Sequence, residues 1–330
     1  MTIAAVLDGV LDRSVVLGYS RVGARLRRFW WPDGPGPKAM AGKRVVVTGA
    51  TTGIGEAIAT SLAELGATVH LLGRSEEKVK RSAGTIRRTI SGAMVIEEVC
   101  DVSDLDAVRS WSDGLCGRIE ALHGLVHNAG AMPKERIETA QMHESQLATH
   151  VLGPHLMTER LLPLLRDAAG ASVVFMSSGG MYTTPLTVDD LEAESGRYDG
   201  VRVYARTKRM QVVLANAWAE RLAGSDIRVE SMHPGWVETP GVADALPAFR
   251  AVTRPILRDP AEGADTAVWL LAMRPESTPQ HFWHDRAQRP TTFGWQRDQD
   301  PAAVRRFLDA VSSKTGTTVL SDNGQDARHE

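Results

Sequence analysis

The fold of this chain is decided by the stretch Thr48-Gly-Ala-Thr-Thr-Gly-Ile-Gly55. It follows an apolar run at residues 45–48 and opens a helical pattern at residues 54–65. Glycine is needed there because side chains would keep the backbone from a pyrophosphate and because the turn demands unusual dihedral angles. The start of the helix offers free N–H groups and a positive dipole end to phosphates. We predict a dinucleotide-binding loop with the contact residues Gly49, Thr51, Thr52, Gly53, Ile54 and Gly55.

Short apolar runs alternate with longer helical patterns from residue 43 onward. The runs predict strands at residues 45–48, 68–72, 94–99, 124–127, 172–176 and 227–231. The helical patterns between them cover residues 54–65, 76–90, 105–119, 142–165 and 201–222. Such alternation is typical of a parallel sheet with helices on both faces. We therefore predict an α/β fold with a doubly wound, Rossmann-type sheet.

The composition narrows the class of protein. The 330 residues carry 38 basic and 40 acidic side chains and 43% hydrophobic residues, which is typical of a soluble globular protein. Near-neutral charge disfavours a nucleic-acid partner. The two cysteines cannot form a disulfide framework, so we expect a reducing, cytoplasmic location. No apolar run is long enough to span a bilayer, and the N-terminus lacks a secretory signal pattern.

Residues 1–40 form an N-terminal extension, predicted as one amphipathic helix followed by a Pro/Gly linker. Residues 21–31 are basic and end in aromatic side chains, and three interpretations stay open. The extension is a peripheral membrane anchor through residues 1–31, it packs on the protein's own body or a partner subunit, or it is a mobile tail. The Rossmann domain is predicted over residues 41–312, and the polar residues 313–330 are predicted to be disordered.

The end of the second strand indicates which nicotinamide cofactor is bound. Sites that prefer NAD(H) place an acid there, whereas this chain has Leu72-Gly-Arg-Ser75. The planar guanidinium of Arg74 can donate two hydrogen bonds to a 2′-phosphate, and Ser75 can donate another. We therefore predict NADP(H) rather than NAD(H). Asp101 and Val102 follow the third strand. Asp101 either accepts from the adenine amino group or caps the helix that begins near Asp104.

Three side chains are candidates for catalysis. Ser178 follows the fifth strand, at the sheet edge where ligands bind in open parallel sheets. Tyr204 and Lys208 are four residues apart and share one helix face. A nearby ammonium favours phenolate and should lower the pKa of Tyr204 toward the working pH, so that the phenol can act as a general acid or base. No His-Glu-x-x-His pattern occurs, and we predict no metal site.

The order of these motifs resembles that of the short-chain dehydrogenase/reductase family over residues 42–286. The resemblance implies a seven-stranded Rossmann sheet in a homodimer or homotetramer. It implies that Tyr204 is the proton donor in reduction, that Lys208 also holds the nicotinamide ribose, and that Ser178 binds the substrate oxygen. Asn128, Ala129 and Gly130 would lie beside the cofactor. The nicotinamide contacts implied are Pro234, Gly235, Val237 and Thr239, although Thr239 can also be read as a helix cap before Gly241.

Two features depart from the family pattern. His150 stands where the family has an asparagine that kinks a helix and positions a water feeding Lys208. Either an imidazole nitrogen holds that water, or the ring is a neutral filler and backbone carbonyls hold it. An insert at residues 183–202 also lengthens the spacing between Ser178 and Tyr204. We expect a loop that borders the pocket, with its acidic side chains on a solvated face.

These features together predict an oxidoreductase that transfers hydride between NADP(H) and a lipophilic ketone, aldehyde or secondary alcohol. The substrate wall is expected from apolar residues at 236–257, after the nicotinamide loop. The competing interpretation is a non-catalytic NADP(H)-binding sensor or a membrane-surface interaction protein.

Overall fold

The structure, a computed structural model, describes residues 3–239, 247–293, 296, 299–318 and 320, without the side chains of residues 3–6 and 247–249. Its sheet has eight strands in the order β3-β2-β1-β4-β5-β6-β7-β8. The strands are β1 Arg44–Thr48, β2 Thr68–Gly73, β3 Met94–Val99, β4 Gly124–His127, β5 Ala171–Met176, β6 Ile227–Met232, β7 His281–His284 and β8 Ala287–Pro290. The order confirms a doubly wound α/β sheet.

The sheet has one strand more than predicted. Strands β1 to β7 are parallel, and β8 pairs antiparallel with β7. The turn between β7 and β8 consists of Asp285 and Arg286, whose φ angles are +51° and +56°. Two consecutive positive φ angles are typical of a tight hairpin turn, which carries the chain back along the edge. The eighth strand therefore comes from a hairpin that the alternation of strands and helices does not indicate.

Helices cover both faces of the sheet. The helices numbered here are α1 Ile3–Arg13, α2 Val15–Tyr19, α3 Arg21–Arg27, α4 Gly53–Glu64, α5 Glu76–Thr89, α6 Leu105–Cys116, α7 Ser145–Leu147, α8 Gly153–Asp167, α9 Gly200–Arg221, α10 Pro247–Thr253, α11 Pro260–Met273 and α12 Pro301–Thr315. One apolar layer contains buried side chains of α6, α8, α9 and α12, and the other contains those of α4, α5 and α11. Among the described helices, none has both the length and the apolar character needed to cross a bilayer.

Aspartate side chains fix where several of these helices begin. Asp104 accepts hydrogen bonds from the first backbone N–H groups of α6, and Asp199 does the same for α9. Asp259 and Glu262 form a reciprocal capping box at the start of α11. Such caps satisfy N–H groups that the helix leaves unpaired. The cap of α9 matters most for function, because α9 carries Tyr204 and Lys208.

The N-terminal extension contains three short helices rather than the single helix that was predicted. Ser20, with an extended backbone, precedes α3 and breaks the helical run. Two glycines allow the three helices to pack closely against one another. A Cβ on Gly18 would lie 2.2 Å from the carbonyl oxygen of Leu11, and a Cβ on Gly23 would lie 2.3 Å from the carbonyl oxygen of Leu17. The chain turns back on itself twice because these residues have no side chain. Residues 8–27 pack on the protein's own body, which is the second of the three interpretations.

The C-terminal helix α12 continues past the predicted domain boundary. Phe307, Leu308 and Val311 of α12 are buried in the core layer of α8 and α9. Beyond the helix, Thr317 Oγ1 lies 2.7 Å from His155 Nε2. The start of the tail at residue 313 is therefore predicted too early, because apolar packing extends the ordered chain. Residues 321–330 lie outside the described residues.

The insert at residues 183–202 is tied to the body of the protein. Glu192 accepts hydrogen bonds from Lys314 Nζ (2.6 Å) and from the backbone N–H of Glu144 (2.7 Å). Asp189, by contrast, keeps 92% of its side chain exposed. The prediction of a solvated acidic face is thus wrong for Glu192, whose pKa is lowered, against the effect of its burial, by these donors.

Candidate active site

The loop after β1 brings backbone against backbone. Gly49 and Gly53 have φ angles of +63° and +58°, a region that side-chain-bearing residues rarely adopt. A Cβ on Gly55 would lie 2.3 Å from Gly49 O and 2.4 Å from Asn128 Nδ2. Thr52 precedes α4 and makes no side-chain hydrogen bond to its N–H groups. The start of α4 therefore keeps donors for a phosphate.

The other two predicted loop contacts have different surroundings. Thr51 packs against the end of β2. A Cβ added to Gly73, the last residue of that strand, would lie 2.7 Å from Thr51 Cγ2. Ile54 is partly buried and packs against the core layer of α4, α5 and α11. Both residues help to fix the loop, and neither blocks the start of α4.

The end of β2 carries an arginine that the protein leaves available. Arg74 is exposed, and among the described residues it has no hydrogen-bond or ion-pair partner. Ser75 caps α5 by accepting a hydrogen bond from Lys78 N (3.4 Å). The first acid, Glu76, pairs with Lys80 on the helix surface. The strand end thus presents a guanidinium rather than a carboxylate, which suits a 2′-phosphate.

Asp101 lies at the end of β3 but does not cap the following helix. Its Oδ1 accepts from the backbone N–H of Ser103 (2.9 Å) and from its hydroxyl (2.7 Å), whereas Asp104 caps α6. The cap interpretation of Asp101 is therefore wrong. Val102 is buried, and its carbonyl oxygen would lie 1.9 Å from a Cβ on Gly153. This contact brings α8 close to the end of β3.

The ends of β1 and β4 are joined by a hydrogen-bond cluster. Asn128 Nδ2 donates to Thr48 O (3.0 Å) and Gly49 O (3.2 Å). Thr48 Oγ1 accepts from the N–H groups of Asn128 and Ala129 (3.0 Å each) and donates to Val126 O (3.1 Å). Asn128 thereby holds the glycine loop against β4. The role of Thr48 was missed by the sequence analysis, because it is set by a contact 80 residues away along the chain.

Ser178, Tyr204 and Lys208 lie together beyond the carboxyl end of β5. The hydroxyl of Ser178 accepts from the backbone N–H of Gly180 (3.2 Å). The Ser178 side chain also acts on the Tyr204 phenol, because it opposes the rise in the pKa of that group. Lys208 Nζ lies 5.3 Å from the centroid of the Tyr204 ring. It donates to Met176 O and to Gln211 Oε1 (2.9 Å each). Gln211 is a further residue of this cluster that the sequence analysis did not find.

The pKa values of this cluster differ from the sequence-based prediction. Burial raises the pKa of Tyr204 to about 12, and the hydrogen bond with Ser178 opposes that rise. Burial also lowers the pKa of Lys208 to about 7. The prediction that Lys208 lowers the pKa of Tyr204 is therefore wrong for the protein alone, because desolvation disfavours both charged forms. At neutral pH the phenol keeps its proton and is ready to donate it.

His150 lies in a π-helical turn, Ala148–Leu152, between α7 and α8. Its Nε2 accepts from the backbone N–H of Ala131 (3.1 Å), so the proton is on Nδ1, which donates to Thr207 Oγ1 (2.8 Å). Burial and the charge of Lys208 hold the pKa of His150 well below its usual value. Both ring nitrogens are thus engaged, and the prediction that one of them holds a water is wrong.

The neutral imidazole instead connects three parts of the site. It links the π-helical turn to the loop after β4 through Ala131 and to α9 through Thr207. Thr207 in turn donates to the backbone carbonyl of Tyr204 (3.0 Å). The ring itself lies edge-on to that of Tyr204, with a centroid distance of 5.5 Å. Gly130 faces the same ring, since a Cβ there would lie 3.3 Å from His150 Nε2.

The loop after β6 contains the predicted nicotinamide contacts. Gly235 follows Pro234 and has a φ angle of +79°. Val237 is buried and forms a β-bridge with Arg258. The backbone carbonyl of Arg258 accepts from the backbone N–H of Glu238 (2.9 Å). Thr239 is partly exposed. Gly241 and the apolar residues 242 and 246 lie outside the described residues, and Val252 of the predicted substrate wall is 81% exposed.

Comparison with known proteins identifies the family of the chain. A family model for short chain dehydrogenases matches residues 43–248. The chain belongs to the short-chain dehydrogenase/reductase family. It is 37% identical to dehydrogenase/reductase SDR family member 12 of Bos taurus over 274 residues, covering 82% of this chain and 85% of that protein. It is 32% identical to human retinol dehydrogenase 12 over 231 residues, covering 69% and 73% of the two chains.

Solved structures share the fold of this family member. A protein from Mycobacterium paratuberculosis has a TM-score of 0.65 and 26% identity, and the match covers 86% of this chain and 99% of that one. A short chain dehydrogenase from Escherichia coli CFT073, complexed with NADPH, has a TM-score of 0.58 and 25% identity, with 72% and 93% covered. The chain is thus an oxidoreductase of the short-chain dehydrogenase/reductase family, with a Rossmann-type fold.

Proposed function

We propose that this protein reduces a lipophilic ketone or aldehyde with NADPH, using Tyr204 as the proton donor. The observation that carries the proposal is the cluster at the end of β5, where Lys208 is bound to Met176 O and lies 5.3 Å from the ring of Tyr204, whose phenol is protonated. The cluster stands on the sheet edge that also carries the glycine loop. A proton donor and a phosphate-binding turn on one edge suit a hydride-transfer enzyme.

The residues present fit NADP(H). The donors at the start of α4 would bind the pyrophosphate, since only glycine at residue 55 allows the loop to approach this closely. Arg74 would pair with the 2′-phosphate, Asp101 would accept from the adenine, and Val237 and Thr239 would contact the carboxamide. The structurally similar E. coli enzyme, complexed with NADPH, supports this assignment. The bound dinucleotide would supply the hydride.

Tyr204 and Ser178 would handle the substrate oxygen. As hydride reaches the carbonyl carbon, negative charge develops on the oxygen, and two hydroxyl donors in a partly buried site stabilise it. The proton of the phenol moves to this oxygen and completes the alcohol. Lys208, held by Met176 O and Gln211, would face the nicotinamide ribose and return Tyr204 to its protonated form. His150 would act only by keeping α9 and the loop after β4 in place.

The proposed substrate class is lipophilic. The relatives include proteins named retinol dehydrogenases, which favours an apolar carbonyl or alcohol. Trp236 lies between the predicted nicotinamide contacts Gly235 and Val237 and is partly exposed. An apolar wall with a few polar groups is typical of a pocket for such molecules.

The proposal is tested with purified full-length protein, NADPH and a panel of aliphatic and aromatic ketones and aldehydes of increasing chain length. We expect loss of NADPH absorbance with at least one lipophilic carbonyl, and less with short polar ones. Saturable NADPH binding without oxidation across the whole panel would contradict the proposal. That result would favour the sensor interpretation instead.

We also propose that the outer face of the N-terminal extension contacts a membrane surface. Phe29 is 87% exposed, and Val10 and Val16 are 60% and 53% exposed. Exposed apolar side chains beside Arg13 and Arg25 suit an interface with anionic lipid. We expect the full chain to sediment with phosphatidylserine-containing vesicles and the variant Val16→Glu/Phe29→Glu to stay in solution. Equal sedimentation would contradict this contact.

The family's usual homodimer or homotetramer stays a prediction for this chain. Light scattering during size-exclusion chromatography would measure the assembly directly. The same measurement on Val16→Glu/Phe29→Glu would show whether the exposed face binds a second copy rather than lipid.

A further inference from the structure

One residue of the N-terminal extension touches both loops that flank the predicted nicotinamide site. The ring of Tyr19 lies over Gly179, directly after Ser178, where a Cβ would come within 2.5 Å of Tyr19 Cε2. The same ring packs edge-on against His233 and Trp236, with centroid distances of 4.4 and 6.3 Å. Gly179 belongs to the loop after β5, and Trp236 to the loop after β6. The ring therefore fills the space between the two loops.

The main chain of Tyr19 also holds the loop after β6. Its carbonyl oxygen accepts from the backbone N–H of Trp236 (2.8 Å) and from Arg258 Nε (3.1 Å). A Cβ on Gly235 would lie 2.7 Å from this oxygen and 2.4 Å from Arg258 Nε. Gly235, whose φ angle already favours glycine, also leaves room for this close approach of the extension.

Buried charges hold Tyr19 in this position. Arg27 Nη1 donates to Gly18 O and pairs with Asp285, each at 2.8 Å. Arg258 Nη2 also donates to Gly18 O (3.0 Å) and to Asp285 (2.9 Å). The side chains of Arg27, Arg258 and Asp285 are at most 2% exposed. Separating these side chains would leave buried charges without an opposite charge nearby, which costs much free energy. The cluster therefore holds α2 and α3 against the turn between β7 and β8.

From these contacts we propose that Tyr19 is a positioning residue of the active site. It sets the spacing between the loop of Ser178 and the loop of Pro234, Gly235 and Val237, and so shapes the pocket for the nicotinamide half of NADP(H). The proposal rests on the cofactor assignment made above. The adenosine half would lie at Arg74 and Asp101, and among the described residues Tyr19 contacts neither of them. Loss of the ring should therefore weaken binding of one half of the cofactor only.

The experiment compares two ligands on full-length variants. NADPH probes both halves of the site, and adenosine 2′,5′-bisphosphate probes the adenosine half alone. Tyr19→Ala and the milder Tyr19→Leu remove the ring, whereas Tyr19→Phe keeps it. Val16→Ala, on the exposed side of α2, is the matched control. Dissociation constants are measured by fluorescence or calorimetry, and unfolding temperatures by circular dichroism.

We expect Tyr19→Ala and Tyr19→Leu to bind NADPH about tenfold more weakly, about 1.4 kcal/mol, and the bisphosphate as tightly as the wild type. Tyr19→Phe and Val16→Ala should bind both ligands normally. Unchanged NADPH binding in both ring-deleted variants would overturn the proposal. So would equal weakening of both ligands, which indicates general loosening of the fold. Failure of the wild type to bind either ligand would instead refute the cofactor assignment.

A second variant pair tests the contact itself. Gly179→Ala places a Cβ against the Tyr19 ring and should weaken NADPH binding in the wild-type background. In the Tyr19→Ala background the clash is gone, so the same substitution should have less effect. Additive effects of the two substitutions would show that ring and loop are not coupled.

Discussion

The cofactor loop and the N-terminal extension both bring backbone segments into close contact. They differ in how far apart along the chain the residues lie that determine each structure. The glycine turn, the strand before it and the helix after it occupy neighbouring residues. The extension is held by partners 258 and 240 residues away: Asp285 pairs with Arg27, and Arg258 donates to Gly18 O. The difference teaches that local patterns can be read from one sequence, whereas long-range ion pairs cannot.

Two arginines make the contrast concrete. Arg74, at the end of β2, is exposed and has no protein partner among the described residues, so its charge is available to a ligand. Arg27 lies in a stretch that suggests lipid contact, but its side chain is fully buried. Its charge is compensated by Asp8 and Asp285. We therefore expect Arg74 to govern ligand binding and Arg27 to govern stability.

The largest effect is expected from Arg27→Met. This substitution leaves Asp285 and Asp8 with one cation fewer in a buried setting and should lower the free energy of unfolding by about 3–5 kcal/mol. The matched control is Arg25→Met on the same helix, whose side chain is 66% exposed and pairs loosely with Glu262 at 3.8 Å. There we expect a loss of at most about 1 kcal/mol. Urea unfolding measures both, and similar losses would break the comparison.

A smaller effect is expected from Arg74→Ala, and it should fall on the ligand. Loss of a charged hydrogen bond to the 2′-phosphate should weaken NADPH binding by about 10- to 100-fold. NADH binding and the unfolding temperature should stay unchanged. Arg81→Ala, on the exposed surface of α5, is the control. Equal losses for NADPH and NADH would contradict the assignment of NADP(H).

The smallest effect is expected in the acid dependence of stability. Burial alone would raise the pKa of Asp285, but His284, Arg258 and Arg27 hold it far below the usual value. The unfolded state takes up the proton first as the pH falls, so the stabilisation is present above about pH 4 and is lost below it. In Arg27→Met the pKa rises, and the loss of stability between pH 6 and pH 3, measured by urea titration, should be smaller by at most about 1 kcal/mol, which is the full contribution of one such carboxyl at pH 3. An unchanged loss would show that Arg27 does not stabilise this carboxylate.

The sequence could predict the elements that depend on local chemistry. The alternation of strands and helices, the turn at residues 48–55 and the placement of Ser178 at the sheet edge follow from spacing and from the geometry of parallel sheets. Spacing also places Tyr204 and Lys208 on one helix face, whereas their position beside Ser178 was implied by the family resemblance. The antiparallel β8 was missed because it depends on two positive φ angles at Asp285 and Arg286. Neither residue is a glycine, so the sequence does not indicate positive φ angles at these two positions.

The parts of the site that could not be predicted depend on burial and on distant partners. The sequence permits His150 to hold a water, but both ring nitrogens are hydrogen-bonded, one to Ala131 and the other to Thr207. The pKa of Tyr204 was predicted in the wrong direction because burial disfavours the charged forms of both the Tyr204 phenol and the Lys208 amine. Spacing along a helix shows that two groups are neighbours, but it does not show how dry their surroundings are.

The most direct test of the account is the turnover of Tyr204→Phe with NADPH bound. The substitution removes the phenolic proton and keeps the ring beside His150. We predict that NADPH binding stays within about twofold of the wild type and that carbonyl reduction falls by about 10²- to 10⁴-fold. Turnover equal to that of the wild type, in folded protein loaded with NADPH, would contradict Tyr204 as the proton donor.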